Sequence, residues 1–190
     1  GHWAVHYQKN PEKIWKRANI QKTMEVIKKS NAAITGIVEV LEGQEEELKS
    51  GLTEVGYGFF YLGKGHKTKY SGLYVQELIA SKIRGKQQDT GNWPVEHRLG
   101  GGGGLAHVKF SKPNFHLILA HLGLPSRKYY WKQIKFLGSY LGKLKGQVII
   151  LGDFNFSYQK LKNYFLEYDL VSEEIKTCST TPIIKWFYNK

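Results

Sequence analysis

The sequence is poor in sulfur, in acidic residues and in long apolar runs, and each shortage removes a class of protein. A single cysteine, Cys178, can form neither an intramolecular disulfide nor a thiolate metal cluster. Zinc-finger and dithiol redox chemistry are thereby excluded, and a reducing, cytoplasmic compartment is expected. No stretch approaches the roughly 20 uninterrupted apolar residues of a spanning helix. Gly1-His2-Trp3-Ala4-Val5-His6 does not open a charged-then-apolar signal segment, so no membrane partner is expected. Only 16 Asp+Glu stand against 28 Lys+Arg, a net charge of +12 over 190 residues. A field of that sign gathers polyanions, and nucleic acid is the first partner it suggests. With 41% hydrophobic residues, the chain has material for one filled domain spanning 1–190.

Pro11 suits a first helical turn, and Ile20, Met24 and Ile27 follow at spacings of four and three, which predicts an amphipathic helix over 11–30. Residues 33–40 are short, β-branched and apolar on both alternating faces, the pattern of a buried strand, interrupted by Glu39. Residues 44–50 favour helix, and 57–62 and 71–80 favour strand. The polar stretch 81–104 ends in five glycines, Gly100 to Gly104, read as a mobile surface loop. A phosphate-cradling loop would need Gly-Lys-Ser/Thr opening a helix, and Leu105-Ala106-His107 follows instead. Strands are expected at 106–110 and 115–122. Tyr130, Ile134, Leu137, Leu141 and Leu144 then repeat at four, three, four, three, a helix with a core-facing stripe. A further buried strand, 147–152, delivers Gly152-Asp153-Phe154-Asn155 at its end. Pairing of 57–62 with 71–80 and of 106–110 with 115–120 would make hairpins, so the expected class is mixed α/β rather than purely parallel.

Three apolar strands each end in or carry one polar residue: Glu39, His121 and Asp153. A charge within an apolar strand is costly unless compensated, by a cation or by a position in water at the strand's end. His121 alternates onto the face of Leu117 and Leu119, where a lone histidine is ordinarily a satisfied core residue. Asp153 and Asn155 offer an acid and an amide to one cavity if the chain stays extended, or form an Asx-turn if it does not. Together the three strand ends suggest a shared site, since ligands of α/β proteins bind where strands end. With oxygen and imidazole donors only, a hard divalent cation is expected, Mg²⁺ or Mn²⁺, held by one or two carboxylates.

Gly36-Ile37-Val38-Glu39-Val40, Tyr70-Ser71-Gly72, Leu119-Ala120-His121-Leu122 and Ile150-Leu151-Gly152-Asp153-Phe154-Asn155 resemble, in order and spacing, the endonuclease/exonuclease/phosphatase superfamily of DNase I-like phosphoesterases. The resemblance implies a four-layer α/β sandwich, two mixed β-sheets face to face with helices outside. It implies Glu39 as metal ligand, His121 as the group hydrogen-bonding the transferring phosphoryl, Asp153 as orienting or deprotonating the attacking water, and Asn155 as donor to a phosphate oxygen. The reaction implied is metal-assisted phosphodiester hydrolysis. Two parts of the pattern have no counterpart: an early strand bearing asparagine, and a late Asp-His pair, since Asp occurs only at 89, 153 and 169 and no histidine follows His121. The expectation is a domain truncated at both ends, lacking its first and last strands, with a second chain or further residues completing the sheets.

Basic residues gather at Lys64 to Lys69, at Lys82-Arg84-Lys86 and at Arg127-Lys128, with Tyr70 beside the first group. Tyr70, Arg127 and Lys128 are the expected substrate contacts, because lysine and arginine beside a phosphodiesterase site hold a polymer's backbone without reading its sequence. DNA rather than RNA is the expected substrate, cut by a non-specific or abasic-site endonuclease or an exonuclease. The competing expectations are a phosphatase of inositol phosphates or phospholipids, and a non-catalytic nucleic-acid-binding scaffold. Calcineurin-like phosphoesterases need Asp-x-His and Gly-Asn-His elements that the sequence lacks.

Overall fold

The structure, a computed structural model, describes residues 20–67, 74–94, 103–124, 128–155, 161–165, 168–170 and 187–189. Among them are three helices, α1 (Ile20–Ser30), α2 (Glu45–Glu54) and α3 (Lys128–Leu141). None is long and apolar enough to cross a membrane.

The first sheet is built from β1 (Ile34–Leu41), β2 (Phe59–Leu62), β3 (His66–Lys67) and β4 (Tyr74–Ser81), in the order β1-β4-β2 with β3 also on β4. Every described pairing in it is antiparallel. The second sheet takes β5 (Gly85–Gln87), β6 (Gly104–Ser111), β7 (Asn114–His121), β8 (Val148–Asp153), β9 (Tyr168–Leu170) and β10 (Phe187–Asn189), in the order β5-β6-β7-β8-β10-β9. It is mixed: β7 and β8 run parallel, joined by the α3 crossover, while the other pairs are antiparallel.

Strand alternation divides the apolar side chains into layers. Leu117, Leu119 and Leu151 of the second sheet meet Ile79 of the first, with Ala106, Val108 and Phe110, in a core between the sheets. The opposite faces of the same strands offer Ile118, Ala120, Val148 and Ile150 to Tyr130, Ile134, Leu137 and Leu141, the predicted stripe of α3. Ile27 of α1 and Leu48 and Leu52 of α2 cover Leu78 and Ala80 on the outside of the first sheet. The result is the expected helix–sheet–sheet–helix sandwich.

Two stretches depart from the expectations. Within 81–104, residues 85–87 form a strand, and Gly103 and Gly104 are buried rather than in a surface loop. Gly103 has φ +68, and a Cβ there would lie 1.9 Å from the His121 carbonyl oxygen, so only glycine fits. Gly100 to Gly102 lie outside the described residues, as does the 11–19 part of the helix expected over 11–30, whose remainder is α1.

Candidate active site

The parallel register of β7 and β8 runs from His116↔Val148 to His121↔Asp153, so the two polar residues end abreast at one rim of the sandwich. The pairing continues one step, with the Leu122 amide donating to the Asp153 carbonyl at 2.8 Å. Gly152, at φ +136, makes this closeness possible: a Cβ would stand 1.8 Å from the Ala120 carbonyl oxygen. Beyond it the chain turns. The Asn155 amide donates to Asp153 Oδ1 at 2.8 Å and Asn155 has φ +49, an Asx-turn, so the extended alternative for 153–155 does not hold. Asn155 Nδ2 donates to the Leu122 carbonyl at 2.7 Å and ties the two strand exits together.

Glu39 reaches the same rim from the other sheet. The β1–β4 register slips between Ile37 and Val40, and Glu39 takes φ +60, a backbone state that costs a non-glycine residue about 1 kcal/mol or more. The bulge lifts its side chain out of the ladder, leaving it 65% exposed with Oε1 3.8 Å from His121 Nε2. Glu39 is therefore open to solvent at a bulge within the strand rather than buried in it, and its carboxylate is free to meet a cation there.

The buried carboxylate is Glu77, which sequence reasoning missed. On β4 it faces the space between the sheets, 1% exposed, with Oε1 3.7 Å from His121 Nδ1. That separation exceeds a hydrogen bond, so the contact is an attraction between charges. Gly104 leaves it room, since a Cβ there would lie 2.3 Å from Glu77 Oε1. Glu77 Oε2 and His121 Nδ1 are enclosed and have no hydrogen-bond partner among the described residues. The signal was in the sequence: an acid in the middle of Tyr74-Val75-Gln76-Glu77-Leu78-Ile79-Ala80 poses the same problem that was asked of Glu39.

These groups set one another's protonation. Burial by itself would lower His121, but Glu77, Glu39 and Asp153 outweigh it and push the imidazole up to about 9. It is an imidazolium at neutral pH, among three carboxyl groups. Burial raises Glu77 above the carboxylate range against the pull of His121. Burial also raises Asp153, opposed by His121 and the Asn155 amide and reinforced by Glu39.

Chemically, the rim offers hard oxygen donors, one fixed cation and a carboxylate of raised basicity. Among the described residues no three His, Cys, Asp or Glu side chains form a ready-made metal cage. The open carboxylate of Glu39 and the unpartnered Glu77 oxygen nevertheless suit a hard divalent ion that keeps most of its water, and among the described residues the rim carries no thiolate for a soft one. Of the expected substrate contacts, Tyr70 and Arg127 lie outside the described residues, and Lys128 begins α3 with its side chain also outside them. Two other members of the basic groups are engaged locally: Lys64 with Asp89 at 3.3 Å, and Lys82 with Asn31 at 2.9 Å.

No protein-family model and no curated protein matches the sequence. Solved structures do. D. rerio TDP2 complexed with single strand DNA product superposes with a TM-score of 0.63 at 16% identity, over 90% of this chain and 76% of that one. The human Nocturnin catalytic domain with bound sulfate anion gives 0.64 at 17% identity, over 98% and 78%. An endonuclease/exonuclease/phosphatase family protein from Leptotrichia buccalis C-1013-b gives 0.66 at 11% identity, over 90% and 80%. At these identities what is shared is the fold.

Proposed function

From a chain with the fold of the endonuclease/exonuclease/phosphatase structures, we propose a metal-dependent phosphodiesterase that hydrolyses nucleic acid, DNA in the first instance. The observation that carries the reading is the meeting of Glu39, Glu77, His121 and Asp153 at one rim, with two enclosed polar atoms left without partners. Buried polar atoms are ordinarily satisfied, so an unsatisfied pair facing a cluster of charges argues for a ligand. A net charge of +12 and the TDP2 structure with single-stranded DNA favour nucleic acid as that ligand's source.

In the proposed reaction Asp153, made more basic by burial, holds the attacking water and takes its proton as the new P–O bond forms. His121, charged at neutral pH and fixed beside Glu77, holds positive charge opposite the phosphoryl oxygens. The bond to the bridging oxygen breaks, and solvent protonates the leaving alkoxide. Asn155 keeps Asp153 and the Leu122 carbonyl in register. Mg²⁺ or Mn²⁺ at Glu39 would neutralise charge on the phosphoryl oxygens when bound.

The test is hydrolysis of plain duplex, abasic duplex, single-stranded DNA, RNA and an inositol phosphate, each with Mg²⁺ or EDTA. Cleavage of the polymers is expected to require metal, and Asp153→Asn and Glu39→Gln are each expected to lower it at least ~100-fold, the scale of a lost general base or electrostatic donor. Unchanged cutting by either variant removes that residue from the mechanism. Turnover confined to inositol phosphate makes the protein a phosphatase, and binding without turnover makes it a scaffold.

A further inference from the structure

His66 is a buried titratable residue that the proposed reaction does not use. It opens β3 and closes a strap, residues 63–66, that threads between the two sheets behind Glu77. Gly63 and Gly65 show how tightly the strap is pressed on either side. A Cβ on Gly63 would lie 2.5 Å from Ala106 Cβ of the second sheet, and one on Gly65 would lie 1.7 Å from the Val75 carbonyl oxygen of the first. Hydrogen bonds fasten the strap at both faces. The Gly63 amide donates to the Glu77 carbonyl at 2.8 Å, and Lys64 and Leu105 exchange two backbone bonds at 2.9 and 3.0 Å. The Gly65 amide donates to Tyr74 Oη at 3.0 Å.

The last fastening is made by a side chain. His66 Nδ1 lies 3.1 Å from the Gly103 carbonyl oxygen. A carbonyl only accepts, so Nδ1 carries the proton of this bond. Gly103 and Gly104 are the wall of the rim. Gly103 packs on the His121 carbonyl, and Gly104, paired with His121 across β6 and β7, leaves the room that Glu77 Oε1 occupies. The wall also touches the strap directly, since a Cβ on Gly104 would lie 2.7 Å from the Lys64 carbonyl oxygen. Two glycines that finish a run of five have wide backbone freedom and no side chains to lock them. Their place is imposed by neighbours, and His66 grips them one residue before the β6–β7 pairing begins.

We infer that His66 is a positioning residue for the phosphodiester reaction: its Nδ1–H bond to Gly103 holds the Gly103-Gly104 wall, and through that wall Glu77 and His121, where the phosphoryl group needs them. Reacting groups must be held to within about 0.5 Å, and a misplacement of about 1 Å costs on the order of 100-fold in rate. Without the donor, the buried Gly103 carbonyl loses its bond to the strap, and the glycines are free to move away from the enclosed Glu77 and His121. The inference rests on the phosphodiesterase reading for its catalytic meaning, while the bond itself is read out without turnover.

Three variants of the full chain separate the δ nitrogen from the rest of the ring. His66→Asn keeps an N–H donor at the δ position, His66→Gln moves the donor one bond farther out, and His66→Leu has none. With bis(p-nitrophenyl) phosphate and Mg²⁺, His66→Gln and His66→Leu are expected to lower kcat at least about tenfold with KM within about twofold, while His66→Asn stays within about threefold of wild type. Hydrogen exchange without metal gives a second readout: in His66→Leu the Leu105 amide, bonded to the strap, should speed up at least about fivefold more than the Leu137 amide of α3. Long-range ¹H–¹⁵N NMR of wild type, which needs no variant, should show a protonated His66 Nδ1. A bare Nδ1, an equal rise at Leu105 and Leu137, a change in KM alone, or a His66→Asn as slow as His66→Leu overturns the inference. So does wild-type kcat in all three variants, which leaves the phosphodiesterase reading standing. No hydrolysis by wild type rejects that reading and the catalytic role together, and the exchange and NMR results then decide only the bond.

Discussion

Glu77→Gln is the change that isolates the buried half of the site. It keeps the shape of the side chain and removes the charge 3.7 Å from His121 Nδ1. In the metal-free protein His121 holds its proton to about 9, against an ordinary value of 6.5. Burial raises Glu77 as well. Both groups bind protons more tightly folded than unfolded, so the stability they contribute is present at low pH and is lost as pH rises. For His121 the loss runs from pH 6.5 through about 9 and amounts to about 3 kcal/mol. In Glu77→Gln the imidazolium keeps Glu39 and Asp153 but loses its enclosed partner. The variant should be about 3–5 kcal/mol less stable at pH 6.5, the scale for breaking a buried pair. Its further loss between pH 6.5 and 9 should shrink to about half of the wild-type loss or less. Urea unfolding followed by tryptophan fluorescence, in EDTA at both pH values, measures this directly, and groups elsewhere that titrate in the window cancel between the proteins. A wild type equally stable at pH 6.5 and 9, or a variant with the full wild-type slope, would refute the coupling of Glu77 to His121.

Two further changes probe the frame around the site. Gly152→Ala places a methyl 1.8 Å from the Ala120 carbonyl at a φ of +136, so β7 and β8 must part; a loss of about 3 kcal/mol or more is expected, and a melting temperature within a degree or two of wild type would contradict that close approach. On the helix side of the second sheet, His107 bonds Tyr140 Oη at 2.6 Å and His116 Nδ1 at 2.8 Å; burial, then His116 and Lys109, lowers it to about 4. Here the folded chain binds protons more weakly than the unfolded one. Stability is therefore present above pH 6.5 and lost as pH falls towards 4, and thermal melts should show His107→Phe with a lower baseline but a flatter decline from pH 6.5 to 4.5. An identical decline in both proteins assigns the acid sensitivity elsewhere.

The layers were legible because their signals are periodic. The four-three spacing of Tyr130, Ile134, Leu137 and Leu141 lies on a buried helix face, and the apolar runs ending at His121 and Asp153 are adjacent buried strands. The departures arise where a local rule met a tertiary demand. A bulge, invisible to alternation, puts Glu39 in solvent and beside His121, while the enclosed acid is Glu77, whose strand was read for its apolar residues alone. At 153–155 side-chain-to-backbone bonding prevails over extension, so Asn155 braces the rim. Gly103 and Gly104 look mobile by composition, yet pairing with His121 and contact with Glu77 require residues without a Cβ.

Titration of the metal-free protein with Mn²⁺, followed by electron paramagnetic resonance, tests most directly whether the rim is built around a divalent ion. One bound ion per chain is expected for wild type, with affinity lowered at least about tenfold in Glu39→Gln, the scale of a lost carboxylate ligand. Equal Mn²⁺ binding by wild type and Glu39→Gln, or none by a folded wild type at millimolar metal, would contradict the account.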